Sequence, residues 1–210
     1  MSKLFKFLRM PFAIKIETLR RLLWFLKFFR YGYFGKNSII TSPMIIYNKK
    51  NIFIDDFVTI RWNIRIEPIK RWRNQKFNPK IKIGKHTNIE QNCHIICANS
   101  VEIGEYVTIA GYSFITDVDH EYMEIDRGVL NQPLIVKETI IGDESFIGMG
   151  SRIMAGVNIG RHCIIGSNSV VNKNIPDYSV AVGVPAKIVK RYDFERKEWV
   201  KTNSKGEFLN

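Results

Sequence analysis

A chain of 210 residues, 45% hydrophobic and 25% charged, can bury the core of one domain and still carry short appendages; it contains no low-complexity tract. Its 32 Lys and Arg against 20 Asp and Glu give a formal charge of +12, which suits nucleic acid, anionic lipid or a polyanionic small ligand. Three cysteines, Cys93, Cys97 and Cys163, are an odd number without a Cys-x-x-Cys pair, which argues against a disulfide framework or zinc ribbon and fits a reducing, cytoplasmic compartment.

Residues 1–33 are apolar and basic. Lys15, Arg20, Arg21, Lys27 and Arg30 break the apolar stretch before it reaches the roughly 18 residues of a spanning helix. A small-residue cleavage site after a clean apolar block is also missing, so a signal peptide is not expected. The segment Ile14 to Arg30, with Trp24, Phe25, Phe28 and Phe29, is expected to form an amphipathic helix. Two roles are open to it: lying in the interface of an anionic membrane, or covering the open end of the domain that follows.

From 34 to 192 a period of six governs the chain. Ile141, Ile147, Ile153, Ile159, Ile165 and Val171 recur every six positions, each followed four residues on by Ser145, Ser151, Val157, Cys163, Ser169 or Ile175. Gly142, Gly148, Gly160 and Gly166 directly follow the aliphatic position. Neither a helix nor a flat strand repeats at six. A short strand followed by a tight corner does: the aliphatic residue points into a narrow prism, the small one fits the corner, and three hexads make one triangular coil. Earlier blocks share the grammar with shifted phase: Phe34 and Ile40; Ile54, Ile60 and Ile66; Ile83, Ile89 and Ile95; Ile103, Ile109 and Ile115. The phase slips fall at Pro68 to Lys80 and at a loop over 119–133. Cys93 and Cys163 occupy small inward positions and read as packing residues. At the end, 193–210 is expected to be a short helix carrying Trp199 and a frayed tail.

The hexad array, the run Ile115-Thr116-Asp117-Val118-Asp119-His120, and the stretch from Ile165 through Ala186-Lys187 resemble the hexapeptide-repeat acetyltransferases, in particular their galactoside, maltose and polysaccharide O-acetyltransferase branch. The resemblance implies an all-β, left-handed parallel β-helix, a homotrimer, and active sites between subunits where the pantetheine arm of acetyl-CoA runs along the coils. It implies a catalytic histidine just before a projecting loop, the place of His120. An imidazole there can take the proton from a sugar hydroxyl as it attacks the thioester, typically a gain of about 10² to 10⁴-fold. Asp117 or Asp119 could orient the ring, with Asp117 slightly favoured.

By the same resemblance, Gly148, Met149, Gly150, Ser167, Asn172 and Lys173 would line the coenzyme's path. Lys187 and Lys190, after Gly183-Val184-Pro185-Ala186, would meet its phosphates. The galactoside branch has arginine at both lysine positions, and lysine lacks the bidentate fork. Where that branch holds its acceptor with an asparagine, this chain has Glu90, with Asn92 two residues on; Tyr122 and Arg127 in the loop are further acceptor candidates. Zinc enzymes built on similar coils use several His, but no partner stands five residues from His120, and no metal is expected. His94 and His162 read as structural or solvent-facing.

The resulting expectation is an O-acetyltransferase of a cell-surface polysaccharide or its saccharide precursor, cytoplasmic or peripheral on the inner membrane face, without nucleic acid as partner. A small-molecule acetyltransferase (serine, an aminosugar, an antibiotic) and a non-catalytic β-helix scaffold are the alternatives.

Overall fold

A computed structural model describes residues 30–203 and 206–209; the expected N-terminal helix and its membrane contact lie outside the described residues. The chain winds as a prism with three parallel sheets as its faces. Strands of the first face are Tyr33–Phe34, Ile52–Ile54, Lys80–Ile83, Ser100–Ile103, Thr139–Ile141 and Asn158–Ile159. The second face stacks Ile39–Ile40, Thr59–Ile60, Asn88–Ile89, Thr108–Ile109, Phe146–Ile147, Ile164–Ile165 and Ser179–Gly183. The third stacks Ile45–Ile46, Arg65–Pro68, His94–Cys97, Phe114–Thr116, Arg152–Ile153 and Val170–Val171.

Register follows the hexads. On the first face Ile54 pairs with Ile83, Ile83 with Ile103, Ile103 with Ile141 and Ile141 with Ile159. On the third, Ile66, Ile95, Ile115 and Ile153 form the same kind of column. These isoleucines are buried in one continuous core, so each inward face is a stack of identical branched side chains.

The small corner residues join consecutive coils. Ser145 Oγ donates to the Gly160 carbonyl at 2.9 Å and accepts from Cys163 N at 3.0 Å; Thr87 Oγ1 does the same with Gly104 O and Val107 N. A hydroxyl there satisfies backbone groups that the bend removes from the ladders. Glycine serves close approach: a Cβ on Gly142 would stand 2.6 Å from the backbone carbon of Gly160 in the coil above.

Two insertions leave the same corner, between the third and first faces. Residues 69–79 form a hairpin, Arg71–Trp72 against Gln75–Lys76, and 117–138 form a longer one, Val118–His120 against Leu134–Val136. Both phase slips read from the sequence are therefore excursions of a regular prism.

The expected C-terminal helix is a correction. Residues Ala186–Asp193 turn back antiparallel on Ser179–Gly183, and Glu198–Lys201 pairs with them in turn. Asp193 Oδ1 accepts the amides of Glu195 and Arg196, closing the turn, and Trp199 pairs across from Tyr192 with their rings 5.6 Å apart. Adding strands to the open end of the second face satisfies its edge, which a helix would not do. Where it is described, the expected tail is paired: Thr202 bridges Phe208, and Asn203 N donates to the Glu207 carbonyl at 2.9 Å. Among the described residues no helix is long and apolar enough to cross a membrane.

Candidate active site

His120 ends the first strand of the longer insertion and pairs with Leu134. Its backbone amide donates to Asp119 Oδ1 at 2.8 Å, which fixes the chain locally without touching the ring. Nδ1 is buried and has no hydrogen-bond partner among the described residues. The edge-to-face neighbour of the imidazole is Trp72 of the shorter hairpin, with centroids 5.3 Å apart and planes at 69°.

The two insertions brace each other. Trp72 Nε1 donates to the Gln132 carbonyl at 3.0 Å, and Arg73 Nε to the Leu130 carbonyl at 2.9 Å. Gln75 forms a reciprocal pair with Leu134, donating from Nε2 to its carbonyl and accepting its amide at Oε1. Gln132, 1% exposed, fills the longer loop: its Nε2 donates to the carbonyls of Glu124 and Arg127, and its Oε1 accepts the Glu124 amide. His120 thus stands between two short hairpins locked to one another. Trp72, Arg73, Gln75 and Gln132 were not singled out from the sequence. The available signal was a tryptophan between two arginines inside an interruption of the repeat.

Asp117 does not orient the imidazole. Its carboxylate is fully buried and accepts three backbone amides, of Ala98 at 2.7 Å, Asn99 at 2.7 Å and Ser100 at 2.8 Å. Burial pushes its pKa above the ordinary value, against the opposing pull of these amides and of the Cys97 thiol 3.5 Å away. Asp117 therefore pins the corner of the preceding coil beneath the insertion.

The other expected site residues divide between two corners. Glu90 and Asn92 lie at the corner between second and third faces, Glu90 paired with Arg61 at 3.0 Å and Asn92 accepting a hydrogen bond from Asn63. Gly148, Met149, Gly150 and, one coil on, Ser167 stand at that same corner. Both glycines have packing reasons. A Cβ on Gly148 would come within 2.6 Å of Ser167 N, and one on Gly150, at φ +72°, within 2.3 Å of Asn168 Oδ1. Met149 and Ser167 are the exposed members. Asn172 and Lys173 share His120's corner two coils further along, exposed. Lys187 and Lys190 are exposed on the returning strand, opposite Val182 and Val180. Tyr122 and Arg127 are exposed in the loop, Arg127 beside Glu124 at 3.4 Å. Within one protomer, His120 and the Glu90–Ser167 column are on different edges of the prism. Among the described residues no group of three or more His, Cys, Asp or Glu could hold a metal ion.

Comparison with known proteins agrees with this architecture. The profile of the bacterial transferase hexapeptide family (six repeats) matches residues 138–173. WbbJ of Escherichia coli, named for lipopolysaccharide biosynthesis O-acetyl transfer, is 30% identical over 171 residues, 78% of this chain and 83% of that protein. A Mycobacterium tuberculosis protein named as an acetyltransferase is 37% identical over 115 residues; the match spans 55% of this chain and only 36% of that longer protein. Among solved structures, the Bacillus cereus N-acyltransferase AntD superposes with TM-score 0.66 at 20% identity, covering 81% of this chain and 88% of the other. The maltose O-acetyltransferase of Clostridium difficile does so with TM-score 0.56 at 24% identity, covering 88% and 78%. The chain belongs to the bacterial hexapeptide-repeat transferases. Its fold is the all-β, left-handed parallel β-helix that the resemblance implies.

Proposed function

We propose that the protein is an acetyl-CoA-dependent O-acetyltransferase that modifies a sugar hydroxyl of a cell-surface polysaccharide or its precursor, with His120 as general base. The observation that carries this is the placement of His120, held against Trp72 where two braced hairpins leave a β-helix. The WbbJ relative, matched over most of its length, supports the class of acceptor. Because Nδ1 is enclosed, Nε2 is the nitrogen that meets the acceptor. It takes the hydroxyl proton as the oxygen bonds to the thioester carbonyl; the tetrahedral oxyanion then collapses, the carbon–sulfur bond breaks, and the departing thiolate takes the proton back. Met149 and Ser167 contact the pantetheine arm, and Lys173, Lys187 and Lys190 meet the coenzyme's phosphates.

The same reading makes the protein a homotrimer. His120 of one protomer would face the Glu90, Asn92 and Met149 edge of its neighbour, since one chain keeps them on separate corners. The location is cytoplasmic, at the inner membrane face where residues 1–30 would contact anionic lipid.

Two measurements test the reading. Coenzyme A should raise the melting temperature, as a ligand of the native state does. With acetyl-CoA and a panel of saccharides, His120→Ala should lower kcat by about 10² to 10⁴-fold. Full turnover in that variant would remove His120 from the chemistry.

A further inference from the structure

The edge of the prism that carries His120 continues toward the first coil, where it becomes basic. There the chain turns through Tyr47, Asn48, Lys49 and Lys50, directly beside the shorter hairpin. Between them is a cleft of about 430 Å³ whose polar and aromatic lining is Arg30, Tyr47, Asn48, Lys49, Lys50 and Lys70. Lys49 lies over the Tyr31 ring at 5.7 Å; Arg30, Lys50 and Lys70 are the other cations, and no carboxylate is among the described lining residues. Its walls are fixed by side chains: Asn48 Nδ2 donates to the Pro68 carbonyl at 2.7 Å and Asn51 Nδ2 to the Pro79 carbonyl at 2.8 Å. Those two prolines are the feet of the hairpin that bears Trp72. The cleft and the His120 site are thus two ends of one braced structure.

Charge is sorted along the same axis. From Arg30 to Ile89 the chain has thirteen Lys or Arg against three Asp or Glu, and from Glu90 to Gly160 three against eleven. In a stacked coil, sequence order is spatial order, so the prism has a cationic end and an anionic middle. The cleft lies in the cationic part. His120 leaves the fourth coil and the cleft belongs to the first, so at about 4.8 Å per stacked strand they are on the order of 15 Å apart.

We propose that this cleft binds a phosphate-bearing group of the acceptor, a diphosphate, while a hydroxyl of the attached saccharide reaches His120. A multiply charged anion is the ligand that offsets the clustered cations Arg30, Lys50 and Lys70, and a short saccharide can span the separation. Arg30 supplies the planar fork for two phosphate oxygens, and Lys50 and Lys70 supply point charges from opposite walls. The acceptor would be an activated sugar, carried on a nucleotide or a polyprenyl lipid. The role of the diphosphate rests on the transferase reading above; the binding of the anion does not.

Inorganic pyrophosphate titrated calorimetrically into the full-length protein should bind one site per chain. The Lys50→Ala/Lys70→Ala double variant should bind about tenfold more weakly or worse, with Lys70→Glu as an independent second variant and thermal unfolding as the check on folding. In turnover assays, uridine diphosphate and geranyl diphosphate should compete with the acceptor; whichever does so better tells a nucleotide-borne from a lipid-borne diphosphate. UDP-hexoses should show a lower KM than the free hexoses. Pyrophosphate affinity that survives in both variants overturns the proposal, as does equal transfer to sugars with and without a diphosphate. Lys50- and Lys70-dependent binding to phosphatidylglycerol vesicles without pyrophosphate binding also overturns it, in favour of a bilayer. If no saccharide is acetylated at all, the transferase reading fails, and the titration still decides the anion site.

Discussion

The Trp72 indole holds the His120 ring edge to face at 5.3 Å while its Nε1 donates to the Gln132 carbonyl at 3.0 Å, so one side chain positions both the imidazole and the loop beside it. Trp72→Ala removes both contacts. A base displaced by even about 1 Å can lose on the order of 10² in rate, so kcat should fall by about ten- to a hundredfold. The KM for acetyl-CoA should change little. Trp72→Phe keeps a ring against the imidazole but loses the hydrogen bond, and should recover much of kcat. Equal kcat in wild type and Trp72→Ala would remove the indole as a positioning residue.

Asp117 separates structure from catalysis. Losing a buried carboxylate that accepts three amides should cost about 2–4 kcal/mol in Asp117→Ala, measured by chemical denaturation. Asp117→Asn keeps one acceptor oxygen and should cost roughly half as much. The folded fraction of either variant should keep kcat within a few-fold. A triad-type role would instead lower kcat by about 10⁴.

The thiols should be silent in the native protein. Burial pushes Cys93 up to about 11 and raises Cys97 and Cys163 as well. At pH 8 a thiol of pKa about 11 is ionised on the order of one part in a thousand, and all three side chains are enclosed. An aromatic disulfide reagent should therefore titrate no thiol before denaturation and three after it. Fast modification of any cysteine in the folded protein would contradict the packing described for these corners.

Subunit mixing tests the shared site. His120→Ala and Met149→Trp subunits should each be inactive alone. Unfolded together in equal amounts and refolded, they should regain about a quarter of wild-type activity, the fraction of interfaces that join an intact histidine to an intact coenzyme edge. No recovery from correctly refolded trimers would mean that each chain holds its own complete site.

The prism was legible because its signal is redundant. Ile141, Ile147, Ile153, Ile159 and Ile165 each repeat one instruction, and all are buried. His120 stood out for the same reason, as the end of a regular block followed by an excursion. Asp117 was misread because spacing to a histidine says nothing about which way a carboxylate points; here the corner at Ala98 to Ser100 offered three amides at closer range. The last segment was misread because a short run such as Asp193 to Val200 suits a helix or a hairpin equally, and only the open strand above it decides. Trp72 was out of reach for another reason. Its partners, Gln132 and His120, are sixty and forty-eight positions away in sequence, and nothing in the six-residue period links one interruption to another.

Because both hairpins spring from one edge and are fastened mainly to each other, the coils beneath depend on little in them once Asp117 is kept in place. Residues 69–79 and 118–138 therefore constitute a paired cassette. A graft from a related enzyme that exchanges one half would strand the carbonyls that Trp72, Arg73 and Gln75 now satisfy. Exchanging both halves would carry the surroundings of His120 across intact, so the region beside the histidine can change without rebuilding the scaffold.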